Sequence, residues 1–255
     1  RRLADSWRLA GPSRDADLAV PRAELRELAR SGLLGLTIPV AHGGSGHSTR
    51  TLTDVFAILA AADHSLAQVP QNHFGTVYAL PALDERRRAF WFAEALRGAR
   101  FGNANAETGK ASRSNPATRI RDAVAADPDL PGGRRPDFVL SGTKRFATGA
   151  MTADWITVGL AHEDGWKATA MIPAGTPGVT SHEDWDAFGQ RSTHSGTMTF
   201  DDVPLRAAHV IDHRGQPNVS GFHDCSPTAI VWGACLSTTA LPARNRISPW
   251  APDPR

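Results

Sequence analysis

Cysteine is nearly missing from the 255 residues: Cys225 and Cys235 are the only two. Two thiols build no disulfide framework, so a reducing cytoplasm is the expected compartment. No apolar run reaches the length of a membrane span, and no secretory h-region opens the chain. The net charge is +2 and the arginines are scattered, which excludes the basic stripe of a nucleic-acid binder. The ten histidines form no HxxEH or Cys-His cluster, so zinc is not expected. The GxSxG elbow of an α/β-hydrolase is absent, as are Walker and GxGxxG phosphate loops. A triad dispersed along the chain is not excluded by sequence. What remains is an ordinary globular composition, 41% hydrophobic and 21% charged, in a chain long enough for two cores.

The pattern changes once, sharply. Residues 1 to 100 carry helical periods. Leu3, Trp7 and Leu9 start an apolar face, and after a Gly-Pro break at 11 and 12 a second runs from Leu18 to Leu34. Pro21 suits a first turn, with Glu24 and Glu27 near a helix start, and Gly32 and Gly35 mark its stop. Residues 49 to 63 predict a helix that is apolar all round and therefore buried, with Thr51 or Thr53 near its N-cap. Residues 84 to 99 predict another. The turn Gly43-Gly44-Ser45-Gly46 is read as structural, since no Lys-Ser/Thr follows it. From Phe101 the period is two. Five strands are expected, around RIRDAVAA, DFVLSGTKRF, WITVGLA, KATAMIP and TMTFDDV, with turns at Pro131-Gly132-Gly133 and Asp164-Gly165. The fold class is thus α+β: an all-helical domain at 1–100, then a small antiparallel β-barrel or sandwich domain at 101–213. Residues 214–255 hold at most one helix before a Pro- and Arg-rich end that reads as disordered.

Three loops could carry chemistry. The densest is Asp184 to Thr197, DWDAFGQRSTHSGT, where Trp185 precedes Arg191, Ser192, Thr193, Ser195 and Thr197. So polar a run is costly to bury unless a flat polar partner lies against it. FGNANAETGKAS, at 101 to 112, has small residues that let backbone approach a ligand, and Asn103 could meet a heterocycle edge. In TKRFATGA, Phe146 and Thr148 share a face if the segment is a strand. Each loop alone is as well explained by structure, with Phe146 as core and Thr148 as a turn residue. Together they suit a flat ligand.

The order RSGLLGLTIPVAHGGSG, FGNANAE, LSGTKRFATGAMTADWITV and GQRSTHSGTMTFDDVPL resembles the acyl-CoA dehydrogenase superfamily over residues 15 to 213. Within it, DWDAFGQRSTHSGT looks most like the flavin-dependent monooxygenase branch, of dibenzothiophene monooxygenase and sulfone monooxygenase type. The resemblance implies a helical domain, a middle β domain and a C-terminal four-helix bundle. It implies that Phe146 and Thr148 lie against a flavin ring, Thr148 near N5. By the same resemblance Asn103, Ala104, Ser112, Arg191 and Ser195 border the cofactor. His73 and Thr148 would be catalytic, and His73 and Trp185 would flank the substrate. For His73 a satisfied core histidine stands beside that role. The implied cofactor is FMN, reduced by a separate flavin reductase, with FAD as the alternative. The implied reaction is oxygenation of a small organosulfur or similar apolar molecule. The implied assembly is a homo-oligomer. Start at Arg1, and the lack of a sequence for the bundle, are expected of a truncated or frame-shifted product that could be inactive. Two other readings compete. An FAD-dependent acyl-CoA dehydrogenase would carry a TEPxAGSD-like loop where ETGKAS stands, and a non-catalytic remnant would bind no flavin.

Overall fold

The computed structural model describes residues 1–109 and 115–214. The helix expected at 226–241 and both cysteines lie outside them. Helices fill the first part: α1 (Arg2–Ala16), α2 (Arg22–Arg30), α3 (Thr49–Ala60), α4 (His64–Gln68), α5 (Gln71–Ala79) and α6 (Glu85–Leu96). The expected break at Gly11-Pro12 does not occur. Pro12 lies inside α1, whose anchors on either side are the buried Trp7 and Arg14. Arg14 is buried, so its charge must be met by partners within the protein. It donates to Glu24 at 2.7 Å, to Asp63 at 2.6 Å and to the Trp7 carbonyl at 3.1 Å, tying three helical segments together. The cap of α3 is Ser48, accepting from the Thr51 N–H, rather than either threonine. α3 also buries one side only: Leu52, Phe56 and Leu59 face the core while Ile58 is exposed.

The glycine turn after α2 is structural. A Cβ on Gly44 would fall 2.1 Å from the Ile38 carbonyl oxygen, which itself accepts the Gly46 N–H at 2.8 Å. The chain is folded back on itself there, and that close approach accounts for glycine at this position.

Eight strands follow: β1 (Phe101–Ala104), β2 (Arg119–Asp122), β3 (Phe138–Lys144), β4 (Trp155–His162), β5 (Lys167–Pro173), β6 (Val179–Ser181), β7 (Met198–Leu205) and β8 (Val210–Asp212). Their order is β6-β7-β3-β2-β4-β5-β8, with β1 on β4. The sheet is sandwich-like, not a closed barrel, and it is mixed: β1 and β2 both run parallel to β4, β1 along its first half and β2 at its end. Period-two reading missed β1, β6 and β8 because three- and four-residue strands are too short to display alternation. Three cores result. One fills the helices around Trp7, Phe56 and Leu66, and one the sheet around Ile120, Leu140 and Phe200. The third joins them, packing Val77, Leu80, Trp91 and Phe92 against Phe101, Met171 and Ile211.

Candidate functional site

Strand β3 ends at Lys144, and the next residues turn rather than extend. Phe146 has φ 54°, in the left-handed region, and its ring is 56% exposed. A bulky residue loses roughly 1–2 kcal/mol there. Phe146 is therefore neither core nor a strand neighbour of Thr148, and the shared-face expectation fails for that reason. Thr148, two residues on, is buried. Its carbonyl accepts the Asn103 N–H at 3.3 Å, and the Ala147 N–H donates to the Gly196 carbonyl at 3.0 Å. The turn is thus strung between β1 and the hydroxyl-rich run.

That run is held at both ends. The Asp184 carboxylate accepts the Thr197 N–H at 2.7 Å and the Thr197 hydroxyl at 2.5 Å. Arg145 donates to the same carboxylate at 3.1 Å and to the Thr197 hydroxyl oxygen at 2.6 Å. The hydrogen bonds from Thr197, with Arg145 beside them, hold the Asp184 carboxyl below its ordinary range. Further in, Gln190 and His194 both take left-handed conformations around the short turn Arg191–Thr193. The Gln190 carbonyl collects the Trp185 indole N–H at 3.2 Å and the Thr193 hydroxyl at 2.8 Å. The Ser195 hydroxyl donates to Thr193 at 2.9 Å, and Ser195 and Thr148 lie 2.8 Å apart. The Ser192 hydroxyl reaches the Arg14 carbonyl at 3.3 Å, fixing this run to the helices. Trp185 meets Phe146 edge-on, with ring centroids 6.2 Å apart at 89°. Phe188, three residues after Trp185 in the run, is fully exposed.

The structure so gathers Asn103, Phe146, Thr148, Trp185 and Ser195 by direct contact, with Arg191 in the same turn. Ala104 is a core residue of β1, able to offer a ligand only its backbone. Ser112 lies outside the described residues. His73 is set apart. It is fully buried on α5, its ring stacked on Phe101 at 5.0 Å and 13°. Its Nδ1 accepts the Phe101 N–H at 3.4 Å, which puts the proton on Nε2, 3.0 Å from the Leu34 carbonyl. Burial lowers its pKa to about 4, opposed by the Leu34 hydrogen bond, so the ring is neutral. Both nitrogens are spent on backbone, as in a satisfied core histidine. Sequence reasoning missed the Gln190 carbonyl, since no side chain signals it, and the Asp184–Thr197–Arg145 clamp.

Behind the first loop, Glu107 accepts the N–H groups of Ala117 at 2.7 Å and Thr118 at 3.0 Å, and pairs with buried Lys144 at 2.5 Å. Burial works to raise the Glu107 carboxyl, and the bonds from Lys144, Ala117 and Thr118 outweigh it. Among the described residues no group of His, Cys, Asp and Glu could hold a metal ion. His209 and His213 are four apart, but the strand β8 between them is not a helical turn that would align them. A cavity of about 320 Å³ lies elsewhere, beside Arg119, Glu163 and Lys167, and contains none of the gathered residues. No described helix is long and apolar enough to cross a membrane.

Comparison with known proteins joins these observations. The N-terminal domain of acyl-CoA dehydrogenase matches residues 7–97 and the middle domain residues 120–203. Dibenzothiophene monooxygenase of Rhodococcus qingshengii is 33% identical over 223 residues, 86% of this chain and 51% of that protein. The probable FMNH2-dependent monooxygenase SfnC of Pseudomonas putida is 32% identical over 209 residues, 80% of this chain and 48% of that protein. FMN-bound TdsC from Paenibacillus sp. A11-2 superposes with a TM-score of 0.78 at 26% identity, covering 93% of this chain and 60% of that one. The chain spans about half the length of the curated relatives it matches.

Proposed function

We propose, for a chain that belongs to the acyl-CoA dehydrogenase family through its N-terminal and middle domains, that it forms the flavin-facing part of an FMN-dependent monooxygenase. The observation that carries this reading is the strained, half-exposed Phe146 beside the Thr148–Ser195 hydroxyl pair. A positive φ on a bulky residue persists only where its surroundings enforce it, and such strain concentrates at ligand sites. The donor set fits a flat nitrogen heterocycle: an aromatic face, a second ring edge-on, and hydroxyl and backbone groups for polar edges. The relatives' names add FMN as the cofactor and organosulfur compounds as the substrate class.

Reduced FMN, when bound, supplies the oxygen activation. The protein's residues do the rest. Phe146 offers its ring as a platform, and Thr148 and Ser195 fix one polar edge. Asn103 and Arg191 border the cofactor, and Trp185, held by the Gln190 carbonyl, closes the side where an apolar substrate would enter. His73 acts from behind. By holding the Phe101 N–H and the Leu34 carbonyl it positions the start of β1, and with it Asn103. The accompanying proposals are a helical domain to residue 100 and a β domain at 101–213, a flavin reductase as transient partner, a homo-oligomer, and a cytoplasmic setting.

The test is an anaerobic titration of the 255-residue protein with FMN and with FAD, read by flavin absorbance. Saturable FMN binding stronger than FAD binding is expected. No binding of either contradicts the proposal, and FAD binding with bleaching by acyl-CoA would assign a dehydrogenase instead.

A further inference from the structure

The cavity beside Arg119 and Lys167 takes its shape from strand register. Arg119 on β2 stands opposite Ala161 on β4, and Ala161 stands opposite Lys167 on β5. Residues in register share a face, and strands lie about 4.8 Å apart, so the two cations rise about 10 Å apart with an alanine between them. That face is the outer one, because their neighbours along the strands, Ile120, Leu160 and Ala168, pack in the sheet core. Ala161 is too short to fill the gap, and a basin of about 320 Å³ results. The β4–β5 turn lines it with Glu163 and Gly165, and Asn115 lines it from the segment before β2. This lining is tied down through its backbone. The Glu163 N–H donates to the Ile120 carbonyl at 2.9 Å, the Gly165 N–H to the His162 carbonyl at 2.9 Å, and the Lys167 carbonyl accepts the His213 N–H at 3.0 Å. Its charges, by contrast, are unpaired. Arg121, two residues along β2 on the same face, is held by both oxygens of Asp127 at 2.7 Å. Among the described residues Arg119 and Lys167 have no carboxylate partner and Glu163 has no cation partner, and Arg119 donates to the Asn115 side chain at 3.3 Å.

We propose that this basin binds a small phosphate ester, at a site separate from the flavin-facing turn. The phosphate lies between the Arg119 guanidinium and the Lys167 ammonium, two side chains long enough to close on one anion from either side. Glu163 accepts from a hydroxyl on the organic part of the ester. Two cations against one carboxylate favour an anion, and the carboxylate selects an anion that also carries a donor. The volume falls at the lower end of the range for small-molecule sites, about 300–1,000 Å³, and leaves room beyond the phosphate itself. None of the residues gathered at the flavin-facing turn lines the basin, so the proposal stands apart from the flavin reading.

The experiment is isothermal titration calorimetry of the full chain in low-salt chloride buffer, with inorganic phosphate and ribose 5-phosphate as probes. Saturable one-to-one binding of both is expected, with ribose 5-phosphate about tenfold tighter through the added hydrogen bond to a charged acceptor. Lys167→Gln and Arg119→Gln should each weaken both probes by about fivefold. Glu163→Ala should leave phosphate bound at least as tightly and bring the ratio of the two probes near one. Lys167 and Glu163 are exposed and Arg119 is half-buried, so these variants keep the fold, which circular dichroism checks. Saturating FMN should leave the affinity for ribose 5-phosphate unaltered. Absence of saturable binding, or binding that Lys167→Gln and Arg119→Gln leave unchanged, would overturn the proposal and leave the flavin reading intact. Displacement of ribose 5-phosphate by FMN but not by riboflavin would overturn it too, by assigning the basin to the phosphate of the cofactor.

Discussion

His73 and Thr148 are both buried polar residues close to β1, and their surroundings treat them oppositely. His73 sits in the core joining helices to sheet, and each ring nitrogen has a backbone partner. Thr148 sits in a turn bent by a left-handed Phe146, and its hydroxyl meets that of Ser195 at 2.8 Å. The first arrangement is complete within the protein. The second leaves hydrogen-bonding capacity on a hydroxyl and an exposed aromatic ring for something else. A buried polar group with every bond made reports stability, and one with a capacity left over reports a site. Glu107, which accepts from Lys144 and from two backbone N–H groups, belongs with His73. Asp184 and Trp185 belong with Thr148, as the struts that keep the open turn in place.

Breaking the complete side should have the largest effect. Removing one member of a buried ion pair leaves the other charge unpaired, at about 3–5 kcal/mol. Glu107→Ala is expected to lower stability by about that much in urea unfolding, and more than the paired change Glu107→Leu with Lys144→Met. Equal losses would show that the pair is not a closed unit.

His73 sharpens the contrast through pH. Its folded pKa of about 4 is below the ordinary 6.5. Between those values the unfolded chain binds a proton that the folded chain refuses, so stability is full above pH 6.5 and falls as pH drops toward 4. At about 1.4 kcal/mol per tenfold, the loss from pH 7 to pH 5 is about 2 kcal/mol. His73→Gln, which keeps a donor and an acceptor, should remove that pH slope in urea titrations at the two pH values. A slope that survives would place the titration elsewhere.

On the open side the sign reverses. Phe146→Gly relieves the left-handed strain and should raise stability by about 1 kcal/mol, net of the entropy glycine adds to the unfolded chain. The same change should weaken FMN binding, measured by fluorescence quenching, so stability and affinity move apart. The smallest stability effect is expected at Asp184, whose side chain is 41% exposed. Asp184→Asn should change unfolding free energy by less than about 1 kcal/mol, and still reduce FMN affinity several-fold by loosening the 184–197 run.

The sequence displayed one of these two regions better than the other. The hydroxyl density of 184–197, the small residues of 101–106 and the abrupt change of period at Phe101 all stood in the residues themselves. The helices at 49–63 and 84–99 were legible too, but α4 and α5 carry no separate signal in the sequence, and the break the pattern suggests at Pro12 lies inside α1, which burial of Trp7 and Arg14 carries through. What was not legible depended on backbone. The left-handed turn at Phe146, the parallel seating of β1 and β2 on β4, and the Gln190 carbonyl leave no side-chain pattern to read. His73 shows the same limit from the other direction. Its residue type allows catalysis or structure equally, and only its two backbone partners separate the roles.

The most direct measurement places the two residues side by side: FMN dissociation constants for wild type, Thr148→Val and His73→Gln at pH 7, each variant first shown to be folded. The account predicts that Thr148→Val weakens binding of reduced FMN by about tenfold, the worth of one hydrogen bond, while His73→Gln stays within about twofold of wild type. Loss of binding in His73→Gln with Thr148→Val unaffected would contradict it.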